Sequence, residues 1–194
     1  MNPLLDIIKH GQSIWLDLLS REIMDSGALK RLIDEDGLRG LTSNPSIFEK
    51  AINNSSDYDE DISELSKTEN DDTDIFFELA LKDIRRAADL FKPVYDETDG
   101  KDGFVSLEVS PYLARDTQGT IQQVKELWQK VGRKNVMIKI PGTAEGIPAI
   151  RKCLSEGINI NITLLFGLPR YAEVTEAYMG ALEDRLKAKK SIDN

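Results

Sequence analysis

Asn135-Val136-Met137-Ile138-Lys139-Ile140-Pro141-Gly142-Thr143 is the stretch that decides the fold of this chain. Four apolar residues surround one lysine, which predicts a short buried strand. Pro141 and Gly142 then end the strand, and Thr143 can cap a following helix. A buried strand that leads directly into a helix is the repeating unit of an α/β protein.

Lys139 is the unusual residue of this strand, because lysine is rarely buried. Burial among Met137, Ile138 and Ile140 imposes a desolvation cost that favours the neutral amine, which is a nucleophile. The alternative is that Lys139 lies near the strand end and reaches solvent, or pairs with a carboxylate. The strand alone leaves both interpretations open.

Apolar runs predict four further strands, at residues 13–19, 38–42, 104–109 and 158–166. Helices are predicted between them from apolar periodicity and end signals. Residues 1–12 form a leader helix, Ser26 caps the next helix and Gly37 ends it. Asn44 caps a helix that has Pro45 at its first position.

The later helices follow the same signals. A long helix is predicted over 73–92, ended by Pro93, and two shorter helices end at Gly132 and Gly157. The last helix is predicted to place its apolar residues on one face: Tyr171, Val174, Tyr178, Leu182 and Leu186.

The two faces of the strands differ in polarity. One face is aliphatic, as in Val136, Ile138 and Ile140, whereas the other is mixed or polar, as in Asn161 and Thr163. An open doubly wound sheet needs two apolar faces, but a β/α barrel can place polar groups inside its C-terminal mouth. The predicted fold is therefore α/β, a (β/α)8 TIM barrel with about five of its eight strands in this chain.

Composition excludes several classes of partner. The net charge of -9 and the pI near 4.8 argue against nucleic acid and anionic membranes, whose phosphates require clustered Lys and Arg. Cys153 and His10 are the single residues of their types, so no internal disulfide and no His/Cys zinc site is expected. No membrane span or basic leader is evident, and a reducing cytoplasm is predicted.

Strand ends converge in a barrel, so six polar side chains are expected to project toward one pocket: Asp17, Asn44, Glu108, Lys139, Asn161 and Thr163. Each has a simpler explanation. Asn44 could only cap its helix, Asp17 and Glu108 could simply pair with the lysine, and the other two could bond within their own strand. Together they provide what imine chemistry needs, namely an amine to attack a ketone and an acid-base group to expel water.

Two motifs resemble those of the transaldolases. Residues 40–48 (GLTSNPSIF) closely resemble the family signature, and residues 136–143 (VMIKIPGT) resemble its Schiff-base lysine segment. Residues 14–17, 106–111 and 159–166 are similar to the other active-site strands of the family and occur in the same order. The resemblance covers essentially the whole chain.

The resemblance implies a barrel of the transaldolase type and a class I aldolase mechanism. A dihydroxyacetone unit would pass between sugar phosphates in the pentose phosphate pathway. Sedoheptulose 7-phosphate and glyceraldehyde 3-phosphate would give erythrose 4-phosphate and fructose 6-phosphate. The resemblance implies sugar-phosphate substrates and no metal or organic cofactor.

The resemblance also implies a role for each residue. Lys139 would form the Schiff base, and Glu108 would act as the acid-base group through a water held by Thr163. Asp17 would take the proton from the hydroxyl next to the breaking bond. The substrate-binding residues would be Asn44, Asn161 and Thr42.

The chain departs from the family in length. A (β/α)8 barrel has about 250 residues, and the family's phosphate-binding serine and arginines have no counterpart after Leu182. Residues 1–194 are therefore expected to form one barrel domain that is incomplete at its C-terminus, the N-terminal part of a longer transaldolase. The alternatives are a plain class I aldolase and a catalytically incompetent fragment that serves as a folding or interaction unit. The helix surfaces could support a homo-oligomer, but no residue selects one.

Overall fold

The computed structural model describes residues 2–68 and 71–192. The described residues form the strands β1 (Ile14–Asp17), β2 (Leu38–Thr42), β3 (Phe104–Glu108), β4 (Val136–Pro141) and β5 (Ile160–Thr163). These strands make one sheet in the order β1-β2-β3-β4-β5. The pairings of β1 with β2, β2 with β3 and β4 with β5 are parallel. A parallel sheet in sequence order is the topology of the first five strands of a (β/α)8 barrel, which confirms the predicted fold class.

Helices precede and follow these strands. They are α1 (Pro3–Lys9), α2 (Arg21–Asp25), α3 (Ala28–Asp36), α4 (Pro45–Asn53), α5 (Asp59–Leu65), α6 (Asp72–Glu97), α7 (Thr117–Val131), α8 (Gly146–Glu156) and α9 (Leu168–Lys187). Short 3-10 turns occupy Ser56–Tyr58 and Pro111–Leu113. Each strand is followed by a helix, as parallel pairing through crossovers requires. No helix in the described ranges combines the length and apolar character needed to cross a membrane.

The chain divides into two compact units. Unit 1 consists of Met1–Leu107 with Arg133–Asn135, and unit 2 of Glu108–Gly132 with Val136–Asn194. In unit 1 the core is built around α6, whose Ala80, Ile84, Ala87 and Phe91 are fully buried. The single barrel domain predicted for 1–194 stays a prediction.

Asn135 belongs to unit 1 although it directly precedes β4. Its buried side-chain amide donates hydrogen bonds to the carbonyl oxygens of Ala88, at 2.8 Å, and Gly103, at 3.0 Å. Its own carbonyl accepts from the Val105 amide at 3.0 Å. Asn135 therefore ties α6 and β3 together inside unit 1.

The helix predicted to begin after Ser26 is α3, which begins at Ala28, and a separate short helix, α2, precedes it. Ser20 caps the short helix α2, and its hydroxyl oxygen accepts from the Ile23 amide. The residue that caps α3 is Gly27, so the cap predicted at Ser26 is wrong. The backbone of Gly27 has a φ of 73°, in the left-handed region that glycine reaches without steric cost, and this turn separates the two helices.

Pro93 was predicted to end a helix but lies inside α6, which continues to Glu97. Proline removes one backbone hydrogen bond, but contacts hold the turn that follows it. Val94 is buried, and the Tyr95 ring packs edge-on against the Phe104 ring with centroids 5.4 Å apart. Tertiary packing thus extends the helix past a residue that usually stops one.

The core of unit 2 lies on the aliphatic face of β4, where Val136, Ile138 and Ile140 are fully buried. From α8, Ala149, Ile150 and Cys153 are also fully buried. The Thr143 hydroxyl oxygen accepts from the amide of Gly146, the first residue of α8, at 3.0 Å, although the N-cap residue of this helix is Glu145.

The apolar face predicted for α9 is mostly not the face that the helix buries. Val174 is buried, and its buried neighbours are Ala177 and Ala181. Tyr171 and Tyr178 are exposed to 60% and 47%. Small residues let α9 lie close to α8, and larger side chains at those positions would hold the two helices apart.

Candidate active site

Lys139 lies in the middle of β4, on the face opposite the fully buried isoleucines. The residue is only 8% exposed, which decides between the buried and solvent-reaching positions that the sequence left open. Its Nζ atom lies 3.3 Å from Oε2 of Glu108, the last residue of β3. The carboxylate pairing that the sequence left open is therefore present, and it also holds an acid-base group beside the amine.

Asn161 and Thr163 follow on β5. The register pairs Lys139 with Asn161 and Pro141 with Thr163. Residues opposite each other on parallel strands share a face of the sheet, so Asn161 lies beside the lysine and Thr163 one step further along. The Thr163 carbonyl accepts from the Gly142 amide at 2.8 Å, which fixes the end of β5 against β4.

The Thr163 hydroxyl is buried, and its oxygen has no hydrogen-bond partner within the described residues. Buried polar atoms normally have a partner, so such an atom at a strand end is suited to bind a ligand or a water. The next residue, Leu164, has a φ of 61°, which is rare for leucine. This turn ends β5 after Thr163, earlier than the predicted strand limit at Phe166.

In unit 1, Asp17 and Thr42 are the two paired residues at the ends of β1 and β2. They share a face of the sheet because they are opposite each other. Asp17 is exposed, and the Thr42 hydroxyl oxygen is buried without a partner among the described residues. The structure thus brings one carboxylate and one hydroxyl together at this edge of unit 1.

Asn44 caps α4, as predicted. Its Oδ1 atom accepts from the Ile47 amide at 3.0 Å, and Pro45 occupies the first helical turn. The amide nitrogen of Asn44 takes no part in this cap, so its two N–H donors could serve a ligand. The structure confirms that Asn44 caps its helix. The cap uses only the side-chain oxygen, so the two side-chain N–H groups remain for ligand binding.

A buried charge cluster that is absent from the sequence-predicted site holds the corner after β1. Arg21, four residues after Asp17, donates to the Asp83 carboxylate at 3.0 Å, to Asp61 at 2.6 Å and to the Asp57 carbonyl at 2.6 Å. The Tyr58 ring lies 4.2 Å from the guanidinium carbon. These bonds fix α2 and thereby the backbone that carries Asp17.

Asp83 is the residue that could have revealed this cluster from sequence. It occurs in α6 between the apolar positions Ala80 and Ala87, and it is fully buried. Burial raises the pKa of its carboxyl group, whereas the hydrogen bond from the Tyr58 hydroxyl, at 2.8 Å, opposes that shift. Burial likewise raises the pKa of Tyr58. A lone acid on an apolar helix stripe predicts a buried partner cation.

Each unit therefore holds its own group of candidate residues. Unit 2 brings together Lys139, Glu108, Asn161 and Thr163. Unit 1 brings together Asp17, Thr42 and Asn44. Over the described ranges, no group of three or more His, Cys, Asp and Glu side chains is arranged to hold a metal ion. The group in unit 2 has the amine, the acid-base carboxylate and the neutral hydrogen-bonding groups that imine chemistry requires.

Comparison with known proteins agrees with these motifs. A family model described as transaldolase/fructose-6-phosphate aldolase matches residues 14–191. A transaldolase of Trichodesmium erythraeum (strain IMS101) is 50% identical over 192 residues, which cover 99% of this chain and 50% of the relative. Transaldolase 2 of Nostoc sp. (strain PCC 7120) is 48% identical over 192 residues, with the same two coverages.

A transaldolase of Saccharopolyspora erythraea is 49% identical over 173 residues, or 89% of this chain and 47% of the relative. The chain thus spans about half the length of the curated relatives that it matches.

Proposed function

We infer that this chain, which belongs to the transaldolase/fructose-6-phosphate aldolase family, supplies the nucleophilic lysine of a transaldolase. The observation that carries the proposal is the buried Lys139 with the Glu108 carboxylate 3.3 Å from its amine. Asn161 in register on the next strand supports it, because an amide can hold the hydroxyls of a bound sugar. The reducing cytoplasm is the compartment that we propose for it.

The first half of the reaction forms an imine and breaks a carbon–carbon bond of the substrate. The Lys139 amine attacks the ketone carbon of a ketose phosphate, and the resulting carbinolamine loses water to give a protonated imine. Glu108 moves the protons of this dehydration through a water that Thr163 holds. Asp17 accepts the proton of the substrate hydroxyl next to the breaking bond, and the imine takes up the bonding electrons as an aldose phosphate leaves.

The second half transfers the retained unit. The three-carbon enamine on Lys139 attacks an acceptor aldehyde phosphate, and hydrolysis of the new imine frees the lysine and the product ketose. Asn44, Asn161 and Thr42 hold the dihydroxyacetone hydroxyls during the transfer. With sedoheptulose 7-phosphate as donor and glyceraldehyde 3-phosphate as acceptor, the products are erythrose 4-phosphate and fructose 6-phosphate.

The family description names a second activity, fructose-6-phosphate aldolase. Such an enzyme cleaves a ketose phosphate but does not transfer the three-carbon unit to an acceptor. A plain aldolase releases free dihydroxyacetone when it receives a ketose phosphate alone. A transaldolase releases little until an acceptor aldehyde is supplied. Assays of dihydroxyacetone with and without glyceraldehyde 3-phosphate distinguish the two.

The first prediction tests the lysine directly. Incubation with fructose 6-phosphate and borohydride reduces an imine to a stable amine, which intact-mass spectrometry detects as a gain in mass. We expect the gain in the wild-type chain and none in Lys139→Ala, because that change removes the nucleophile.

The matched control is Lys125→Ala. Lys125 also pairs with a carboxylate, lying 2.9 Å from Glu156 in unit 2, but it belongs to α7. This variant should keep the full mass gain. An adduct that persists in Lys139→Ala would contradict the assignment of the nucleophile.

A further inference from the structure

A side chain of α7 holds the backbone that follows Glu108. Gln123 lies half-buried on α7, and its Oε1 atom accepts a hydrogen bond from the Ser110 amide at 2.6 Å. Ser110 is buried and lies two residues after Glu108, just past the end of β3. Buried backbone amides need an acceptor, and past the end of a strand the sheet no longer supplies one. Gln123 therefore fixes the course of the chain directly after the carboxylate.

The amide between these two residues is held from the other side. The Val109 amide donates to the Lys139 carbonyl oxygen, in β4, at 3.3 Å. The two consecutive amides after Glu108 thus bond in different directions, one to β4 and one to α7. A backbone rotation that turned the Glu108 carboxylate away from the Lys139 amine would have to break one of these bonds.

Other side chains hold the rest of the loop between β3 and α7. Thr143, in the turn after β4, donates its hydroxyl to the Ala114 carbonyl oxygen at 2.8 Å. Thr120 donates its hydroxyl to the Leu113 carbonyl oxygen at 3.0 Å. These bonds do not involve Gln123, so its replacement should loosen the start of the loop and not its whole length.

We propose that Gln123 is a positioning residue for Glu108, holding the carboxylate beside the Lys139 amine without itself contacting substrate. The inference rests on the proposed function, in which Glu108 moves the protons of carbinolamine dehydration. In that step the carbinolamine hydroxyl leaves as water with a proton from the acid, and the nitrogen lone pair forms the C=N bond. A displacement of about 1 Å can cost on the order of 100-fold in rate.

The first measurement is the rate at which the borohydride-reduced adduct accumulates, with fructose 6-phosphate and excess borohydride. Gln123→Leu keeps a side chain of similar size but removes the acceptor, and it should slow adduct formation by about tenfold or more. Gln123→Glu keeps an oxygen acceptor at the same position, so it should restore the rate to within about threefold of the wild type.

The matched control is Gln122→Leu. Gln122 is the neighbouring residue of α7, but it is exposed and donates to the Glu126 carboxylate at 3.1 Å instead of holding the loop. This variant should form adduct at the wild-type rate. Urea unfolding of all variants shows whether each is folded under the conditions of the assay.

The second measurement does not require an imine. In a chain labelled with ¹³C at the glutamate carboxyl groups, the Glu108 resonance is assigned by its loss in Glu108→Gln, and it reports the surroundings of the carboxylate. The resonance should shift in Gln123→Leu, return in Gln123→Glu and stay unchanged in Gln122→Leu.

The outcomes separate this inference from the proposed function. A wild-type chain that forms no adduct contradicts the proposed function; the placement of Glu108 by Gln123 is then supported by a shifted and restored resonance and overturned by an unmoved one. If the wild type forms adduct, an unchanged rate in folded Gln123→Leu overturns the positioning role alone. A slowed rate that Gln123→Glu does not restore also overturns it, because the hydrogen-bond acceptor would not be the cause.

Discussion

Lys139 and Glu108 illustrate how one contact can serve two interpretations. A pair 3.3 Å apart neutralises a buried cation, so it is sufficient as a structural explanation of the lysine. The same geometry places a proton acceptor next to a nucleophile, which a Schiff-base mechanism requires. The distance is the same for both roles. Formation of a borohydride-reduced adduct on Lys139 distinguishes them.

Gly146 provides a prediction at the scale of one residue. A Cβ atom there would lie 2.1 Å from the Pro141 carbonyl oxygen, at the turn that joins β4 to α8. Because the obstructing atom belongs to the backbone, Gly146→Ala should shift the turn and destabilise the chain by about 1–3 kcal/mol. Urea unfolding followed by circular dichroism measures the change.

Gly167 is the matched control, since it also lies at the start of a helix, α9. A Cβ atom there would meet only Pro169, at 3.9 Å. Gly167→Ala should leave the free energy of unfolding within about 0.5 kcal/mol of the wild type. Equal losses of unfolding free energy in the two variants would show that the close approach of the Pro141 carbonyl oxygen to position 146 is not what destabilises Gly146→Ala.

At the scale of the element, α4 depends on one side chain for its start. Asn44→Ala removes the acceptor that caps the Ile47 amide and should cost about 1 kcal/mol of stability. Asn44→Asp keeps an oxygen acceptor and adds a favourable charge at the helix N-terminus, so the cap should survive. The aspartate cannot donate hydrogen bonds, so its borohydride-trapped adduct should fall if the amide binds substrate. Urea unfolding and adduct mass, measured in parallel, check both parts.

Asp116, which caps α7 by accepting from the Gly119 amide at 3.0 Å, supplies the control. Asp116→Ala should lose similar stability without a selective loss of adduct. A wild-type level of adduct in Asn44→Asp would leave Asn44 with the capping role alone.

At the scale of the whole molecule, Cys153 links stability to pH. Burial raises the pKa of its thiol from 9.0 to about 12. The thiol pKa is higher in the folded state than in the unfolded state. The stabilising contribution of the buried, protonated thiol is therefore fully present below pH 9.0 and is lost as pH rises toward about 12. The wild-type chain should therefore lose stability above pH 9, with a Cys153 contribution to the slope of at most about 1.4 kcal/mol per pH unit.

Chemical denaturation at several alkaline pH values measures this slope, and Cys153→Ala is the reference that lacks the thiol. The difference between the two slopes isolates the contribution of Cys153 from that of every other group in the chain. Identical slopes would contradict a buried, protonated thiol. Slow labelling of the native thiol at pH 8, accelerated by denaturant, is the corresponding kinetic expectation.

The sequence by itself determined the order of the five strands, the cap at Asn44 and the family, and it identified Lys139 as a candidate buried nucleophile. These features depend on local patterns, namely apolar periodicity, capping side chains and contiguous motifs, which are complete within a short stretch of chain. Tertiary structure alone decided that α6 continues past Pro93, that α9 buries Ala177 and Ala181 rather than its tyrosines, and that Glu108 is a carboxylate partner of the lysine. Each of these depends on which side chains lie nearby in space, because packing against a distant segment outweighs the preference of any single residue.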